Sequence, residues 1–447
     1  MSDYATKSFW LGSQPYQENP PLMGSISADV AIVGGGFTGM STAYYLKKAE
    51  PAQRVVVLES EVVGYGASGR NGGFAMTLMG LMLSTTALRF GKEKTRIAHD
   101  FGYRAVEHLG ELVAEHGIDC DYEKTGLFTV ALNPAQVKRL QGEIRLGESL
   151  GVEGLRWLDA SELREEVTSP TYLGARYEDQ CALVNPAKLV RGMKTVAEKV
   201  GAEIYERTPV LSFRAGRTLT LETPSGQVEA KKVVFATNAF SNRFPQLQAK
   251  AFPVYTYIVL TEPLSPQQMA PIGWGGRQGI EDARNLIHYY RLTADNRLLM
   301  GGDDALVYLG SPLDRDYHTP TFRRLERHIV RTFPSLANAR IEYRWGGPVS
   351  VPVDFFPAMG YLGKDKRVVY SLGCVGHGVA MTTYAGQMLR DLVLERRTDL
   401  SELFWVNRWV IPLPPEPLRF ALGDSLRLAL AAQDAWEARQ TPARAPR

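Results

Sequence analysis

The sequence predicts an α/β protein in which a nucleotide-binding βαβ unit is joined to a discontinuous α+β part built on an antiparallel sheet. Three observations predict it. An apolar, β-branched run from Asp29 to Val33 leads through Gly34, Gly36 and Gly39, spaced G-x-G-x-x-G, into a helical segment from Met40 to Ala49. A second strand, Arg54 to Leu58, ends in Glu59, twenty residues after Gly39. From Phe252 to about Arg340 the texture changes to alternating strands, then returns to a glycine-rich one after Trp345.

Each part of the first unit has a physical reason. A continuous Val/Ile/Ala run suits a parallel strand buried on both faces. The three glycines serve a tight turn, backbone approach to a pyrophosphate, and close helix–strand packing. Amide groups at the helix start face the phosphate charges, and a carboxylate at Glu59 accepts hydrogen bonds from ribose hydroxyls while repelling a 2′-phosphate. The following stretch, Gly64 to Gly73, holds five glycines in ten residues with Ser68, Arg70 and Asn71 among them, a backbone able to wrap a ligand closely.

Bulk properties narrow the class. The 447 residues are enough for two domains. The net charge of +3 is too small to argue for nucleic acid or a membrane surface. Cys120, Cys181 and Cys374 are scattered, without C-x-x-C or zinc spacing, so no metal site is expected and a reducing compartment is. The first 28 residues lack the apolar core of a signal peptide, and no apolar stretch is long enough for a membrane helix; cytoplasm is the expectation.

Along the chain, Ser8-Phe9-Trp10 is an aromatic patch on an irregular arm ending at Pro20-Pro21. A helix is expected from Lys92 to His116, stopped by Gly117. Cys120 to Tyr122 and Gly126 to Leu132 read as a strand pair, Pro134 to Leu150 as a helix, and Pro186 onwards as a helix stopped by Gly201. Short strands at Ala202 to Tyr205 and near Pro209-Val210 and a β-meander, Val210 to Glu229, precede a buried strand, Lys231 to Ala236, that emerges at Thr237. The strands Val254 to Leu260, Leu286 to Leu292 and Arg297 to Gly301 follow. Alternation puts Tyr255 and Tyr257 on one face, and His288 and Tyr290 on one face with Tyr289 and Arg291 opposite. A tyrosine- and histidine-bearing face is expected to wall a substrate cavity; a packed interface with satisfied hydroxyls is the alternative. The strand Val368 to Leu372 runs through Gly373–Val379 into a helix, making an anion-binding corner. After Pro412 a proline-rich spacer leads to an amphipathic segment, Leu426 to Trp436, expected to pack on its own or a second subunit; the last eight residues are expected to be disordered.

The Gly34–Gly39 fingerprint with Glu59, the Gly66–Gly73 loop, Tyr289-Tyr290-Arg291-Leu292-Thr293-Ala294-Asp295-Asn296-Arg297, and Gly376-His377-Gly378 together resemble the FAD-dependent D-amino-acid oxidase superfamily, over about Phe9 to Val393. The resemblance implies a Rossmann-like FAD-binding domain of the glutathione-reductase type (1–100, 153–245 and 342–447) and a substrate domain (101–152 and 246–341). It places the adenosine on the first βαβ unit, with Val210 beside the adenine, and the isoalloxazine between the Arg70-Asn71 loop and the Gly373–Val379 corner. The residues it assigns to FAD are Gly34, Gly36, Phe37, Thr38, Gly39, Glu59 and Ser60; Gly66, Ala67, Ser68, Arg70, Asn71, Gly72 and Gly73; Val210 and Thr237; and Gly373, Gly376, His377, Gly378 and Val379. Tyr257, His288, Tyr290 and Trp345 are the candidates for lining the cavity, and His377 joins the candidate catalytic set through contact with the cofactor.

Two departures refine the expectation. Amino-acid oxidases of the superfamily carry an arginine shortly after the Trp-x-Gly element that clamps the substrate carboxylate; here Trp345-Gly-Gly-Pro-Val-Ser-Val has none. Val349 to Phe356 holds no cysteine and Ser68 to Gly73 no histidine for covalent flavin attachment, so non-covalent FAD is expected, with Cys374 the one candidate that could overturn it. The expected activity is oxidation of a small-molecule amine with dioxygen as acceptor. The alternatives are a dehydrogenase using another acceptor, or a demethylating oxidase of an N-methylated amino acid or aminophosphonate.

Overall fold

The computed structural model describes residues 4–439; the eight C-terminal residues expected to be disordered lie outside that range. Two eight-stranded sheets carry the chain. In the first, the strands Val368–Leu372, Gly226–Phe235, Gly24–Val33, Val55–Leu58 and Glu203–Tyr205 run parallel in that spatial order. Ala358–Leu362 pairs antiparallel on the outer edge, and the meander Ser212–Ala215 and Leu219–Thr223 folds back onto the long Gly226–Phe235 strand.

The central strands read as continuous Val/Ile runs because both faces are covered. Helices Phe37–Ala49, Lys92–His116, Pro186–Lys199 and Gly378–Val393 bury Ile32, Val57, Val234 and Val369 on one side. The meander and the Leu22 arm bury Ala31, Val56, Val233 and Phe235 on the other. Local signals set the helix ends. Asn185 caps Pro186–Lys199 by accepting from the Lys188 amide at 3.2 Å, and Gly117 ends Lys92–His116 in the left-handed region at φ 59°. Phe37–Ala49 begins three residues before the expected start, at the second glycine of the fingerprint.

The second sheet runs Ile341–Val351, Phe252–Pro263, Arg297–Gly302, His288–Leu292, Gly279–Asp282, Leu127–Ala131, Gly174–Glu178, Leu155–Asp159. It is antiparallel except where Gly279–Asp282 meets Leu127–Ala131. This pairing shifts the expected domain division in three places. Leu155–Asp159, Gly174–Glu178 and Ile341–Val351, assigned to the nucleotide part, belong to this sheet, while the C-terminal half of Lys92–His116, assigned to the substrate part, packs Ala105, Leu109 and Leu112 into the first sheet's core. Cys120 to Tyr122 and Pro209-Val210 form no strand.

One face of the second sheet is covered by a helix that the sequence reading did not include, Thr319–Thr332. It buries Phe322, Leu325 and Ile329 against Tyr257, Tyr290 and Leu298. The tail forms one helix, Leu418–Arg439, tied to a loop of the second sheet and to the helix Pro134–Ser149: Asp434 accepts from the Asn285 and Leu286 amides at 2.8 and 2.9 Å, and Arg139 reaches Glu437 at 3.0 Å. No helix of the described residues is long and apolar enough to cross a membrane.

Candidate active site

Two hollows meet where the sheets adjoin. The first, about 1210 Å³, runs along the C-terminal ends of the parallel strands, where ligands bind in open α/β sheets. Its floor is the fingerprint. Gly34, at φ 109°, lies so close to the next strand that a Cβ would stand 2.6 Å from the Ala236 carbonyl oxygen, and a Cβ on Gly39 would stand 1.9 Å from the Gly34 oxygen. Only glycine permits this approach of helix to strand. Gly36 at the helix start has no side chain to cap it, and apart from the Phe37 amide, which donates to the Ser68 hydroxyl, the first turn's amides face the hollow for an anion.

Glu59 sits buried at the end of the second strand. Its Oε2 accepts from the Gly35 amide at 2.6 Å, and its Oε1 accepts from the Glu61 amide at 3.0 Å and the Ser60 hydroxyl at 3.1 Å. Burial raises the carboxyl's pKa and the two amide bonds oppose it. A carboxylate has about four lone-pair directions, so this one is fixed in place with acceptor capacity left over.

The glycine-rich loop is pinned through its carbonyl groups. Ser8 donates to Gly69 at 2.6 Å, the Trp10 indole to Asn71 at 2.9 Å and the Trp345 indole to Arg70 at 2.8 Å. The Ser8-Phe9-Trp10 patch thus serves as a support beneath the loop, with Trp10 fully enclosed. The loop's Ser68 hydroxyl accepts from the Phe37 amide at 3.0 Å, joining it to the fingerprint helix.

The sequence-derived cofactor residues separate into three groups. Gly34, Gly36, Phe37, Thr38, Glu59, Ser60, Gly66, Ala67, Ser68 and Asn71 line the first hollow, with Val210, Thr237, Gly376, Gly378 and Val379 on its other walls. Arg70, Gly72 and His377 line the second hollow instead. Gly39, Gly73 and Gly373 line neither. A Cβ on Gly73 would strike the Val184 carbonyl and one on Gly373 the Pro352 ring, so their role is close packing. Cys374 lines the first hollow, its thiol pKa raised by burial.

The second hollow, about 1490 Å³, continues from the first through Ala67, Asn71, Val349, Gly376 and Val379. The sheet face it meets bears Thr256, Ile258, Glu281 and Tyr289, with Phe74 and Met76 from the loop side and Leu426, Arg427 and Leu430 from the C-terminal helix. His377 stands at the junction. Burial pushes its imidazole down to about 4, against a hydrogen bond with Val375, and its Nδ1 is buried without a partner.

Four of the expected cavity residues are elsewhere. Tyr257 is enclosed, its hydroxyl 2.8 Å from that of Tyr308 and donating to the Arg315 carbonyl at 2.9 Å. Tyr290 meets the Tyr172 hydroxyl at 2.7 Å. Trp345 is buried under the loop. His288 lies between Asp282 and Asp303, at 3.0 and 3.3 Å, its ring centroid 4.1 Å from that of His328. Burial works to lower its pKa, but the two carboxylates outweigh that and raise it. His288, Asp303 and His328 bring ligand atoms within 4.8 Å of one another, yet guanidinium groups already hold this cluster: Arg284 reaches Asp282 at 2.9 Å and Arg324 reaches Asp303 at 2.5 Å.

The correction is one of parity. Tyr257, His288 and Tyr290 face the Thr319–Thr332 helix, and their neighbours Thr256, Ile258 and Tyr289 face the cavity. Alternation fixed which residues share a face, but both faces bear tyrosine. The unused signal was the pattern of the 319–332 stretch, whose Phe322, Leu325 and Ile329 fall on one helical face and need a sheet to cover.

The sequence from residue 29 to 392 matches the family of FAD dependent oxidoreductases. The chain belongs to that family. It is 33% identical over 395 residues to the gamma-glutamylputrescine oxidoreductase of Escherichia coli K12, covering 88% of this chain and 90% of the relative. Glycine oxidase of Bacillus subtilis 168 is 24% identical over 396 residues, 85% of this chain and 97% of that one. Among solved structures, glycine oxidase from Geobacillus kaustophilus superposes with a TM-score of 0.73 at 22% identity, covering 86% of this chain and 99% of that one. The fold is therefore that of these mixed α/β flavoenzymes, and the protein is an FAD-dependent oxidoreductase.

The first hollow fits that cofactor. It offers a glycine cradle that a Cβ would fill, a helix start whose glycine cap leaves backbone amides open, a fixed carboxylate for a ribose, and a pinned loop leading to the second hollow.

Proposed function

We propose that this protein is an oxidase of a small-molecule amine, primary or secondary, with dioxygen as electron acceptor. The observation that carries it is the charge inventory of the second hollow. Both guanidinium groups that line it are engaged: Arg70 pairs with Asp316 at 2.8 Å, and Arg427 with Asp304 at 3.2 Å and Asp424 at 2.8 Å. The buried carboxyl of Glu281 faces the same space. A substrate carboxylate finds no free clamp there, whereas an amine finds an acceptor. The Escherichia coli relative is by its name a gamma-glutamylputrescine oxidoreductase, which supports the amine reading.

In this reading the parallel-sheet part is a Rossmann-like FAD domain of the glutathione-reductase type, and the antiparallel sheet is the substrate domain. FAD, held by the residues that line the first hollow, would supply a hydride acceptor for the carbon bearing the substrate nitrogen and a route for the electron pair to dioxygen, which would leave as hydrogen peroxide. The chain's own groups orient and desolvate the amine: Asn71 and the neutral His377 border the junction, and Tyr289, Thr256 and Ile258 form the opposing wall. The imine product is hydrolysed by water to an aldehyde and ammonia or a smaller amine. FAD is held non-covalently, because the Cys374 thiol, raised by burial, is a poor nucleophile.

The test is anaerobic mixing of purified yellow enzyme with polyamines, acylated polyamines, N-methyl amino acids and aminophosphonates. Bleaching by amines, with peroxide formed on readmission of air and flavin released by acid precipitation, is the expected result. Bleaching only by amino acids or aminophosphonates overturns the substrate reading; dye reduction without peroxide overturns the oxidase reading.

A further inference from the structure

The second hollow spans several strands of the sheet, and Glu281 stands on the lining strand farthest across the sheet from the junction. The junction with the first hollow lies beside Val349, on the strand Ile341–Val351. Moving across the sheet, the cavity face passes Thr256 and Ile258, then Gly302, then Tyr289, and ends at Glu281. From the strand of Thr256 to the strand of Glu281 is three interstrand steps, about 14 Å. Between them Ile258, Phe74, Met76 and Leu430 give the lining an apolar stripe, while the polar groups beside it are already engaged, Tyr289 with Thr256 and Arg427 with Asp304.

Glu281 is set apart from the other acids around the cavity. Asp304 is bound by Arg324 at 2.8 Å and Arg427 at 3.2 Å. Glu281 Oε1 instead accepts from a neutral group, the Thr129 hydroxyl, at 3.0 Å. Arg176, two strands away, donates to that same hydroxyl at 3.1 Å and lies 3.8 Å from Glu178. Glu281 is thus a carboxyl held in place, more than nine-tenths buried, lining a hollow whose other end opens on the cofactor trough. A buried carboxylate is costly without a positive partner, and no ion pair of the described side chains supplies one here.

Resting on the amine reading above, we infer that Glu281 is the far anchor of the cavity, pairing with a second ammonium group of an elongated aliphatic diamine or polyamine whose first nitrogen lies at the cofactor junction. The methylene chain between the two nitrogens lies along the apolar stripe. Substrates with one charge and the same length cover the stripe but leave the anchor unpaired, so discrimination comes from the lost ion pair.

The experiment uses the holoenzyme and its Glu281→Gln and Glu281→Asp variants. Glutamine keeps the shape and the bond from Thr129. Steady-state oxidation is compared for α,ω-diamines and linear triamines of increasing length and for alkylamines of matching length. The wild type is expected to prefer the longer dications, and the ratio of kcat/KM for diamine over monoamine to fall at least tenfold in Glu281→Gln, carried by KM more than by kcat, with partial recovery in Glu281→Asp. Calorimetric binding of a diamine methylated twice at each α-carbon, which keeps both charges but has no α-hydrogen to lose, is expected to weaken by the same factor. An unchanged diamine preference in Glu281→Gln, or equal binding of that diamine to both forms, overturns the anchor while leaving the amine reading intact. Absence of flavin bleaching by every amine overturns the amine reading itself.

Discussion

The two faces of the antiparallel sheet are built from similar residues and have opposite fates. One face presents Tyr257, His288 and Tyr290 to the Thr319–Thr332 helix, where every one of these polar groups is answered by another side chain or carbonyl. The other presents Thr256, Glu281 and Tyr289 to a hollow continuous with the cofactor trough. A buried polar group that is fully partnered contributes to stability and specificity of packing; one that borders a cavity is available to a ligand. The difference teaches that function on a sheet is assigned by what covers each face, and residue type alone does not reveal it.

The sharpest way to break the comparison is to disturb the helix-covered face, where His288 and Tyr290 border a separate hollow with Asp282 and Arg284. His288→Ala leaves Asp282 and Asp303 without the group between them, in a site where Asp282 is buried and Asp303 partly so. Removing one partner of a buried ion network costs about 3–5 kcal/mol. The expected outcome is a large fall in the denaturation midpoint of the holoenzyme, with KM for amines changed little in whatever fraction remains folded. A large rise in KM at unchanged stability would place His288 at the substrate and reverse the reading of the two faces.

The cavity face has its own signature in pH. Burial pushes Glu281 up to about 7, with Arg176 and the Thr129 bond opposing; the charges of Glu178 and of Asp282, on the opposite face of the strand, raise it further, Cys181 is near enough to feel its charge, and Tyr289 lies across the ladder. A free glutamate titrates near 4.3, about 2–3 units lower, and each unit is worth about 1.4 kcal/mol. Between those values the folded protein holds a proton that the unfolded chain has released, so stability falls as pH rises from about 4.3 to about 7. Up to about 3 kcal/mol is lost across that window. Glu281→Gln is expected to remove this slope, its thermal midpoint gaining on the wild type as the pH is raised from 5 to 8. A wild type that gains on the variant instead would mean the carboxylate is already paired.

Much of this arrangement was legible in the sequence, for physical reasons that differ by region. The trough could be read because its residues act locally: Gly34 and Gly39 are forced by backbone contacts within one βαβ unit, and Glu59 ends the strand that follows. The strands of the second sheet could be read from alternation, and the pairs Tyr255 with Tyr257 and His288 with Tyr290 do share a face. The side each pair occupies depended on Thr319–Thr332, a helix more than sixty residues from Tyr257 in the chain, which is a tertiary fact. Glu281 went unnoticed because a lone Glu-Asp step carries no motif; only the pairing of Gly279–Asp282 between His288–Leu292 and Leu127–Ala131 sets it over the cavity. The support given by Trp10 to the Asn71 carbonyl was equally invisible, since it joins residues sixty-one apart.

The smallest effects give the finest comparison, because adjacent residues can be given the same change. Tyr289 and Tyr290 are neighbours on one strand and point to opposite faces. In Tyr290→Phe the lost hydroxyl leaves that of Tyr172 buried and unpaired, since the two meet at 2.7 Å and both residues are buried. Such a loss costs about 1–3 kcal/mol, so a lowered thermal midpoint with unaltered kcat and KM is expected. In Tyr289→Phe the ring still covers Gly301, where a Cβ would stand 2.4 Å from it, so packing is kept. The hydroxyl, hydrogen-bonded with Thr256, borders the cavity. Its removal is expected to leave the midpoint within about 0.5 kcal/mol of wild type and to raise KM for the amine a few-fold. Thermal melts and steady-state kinetics on the two variants, side by side, decide it. If Tyr290→Phe moves KM while Tyr289→Phe moves only the midpoint, the cavity lies on the other face of the sheet.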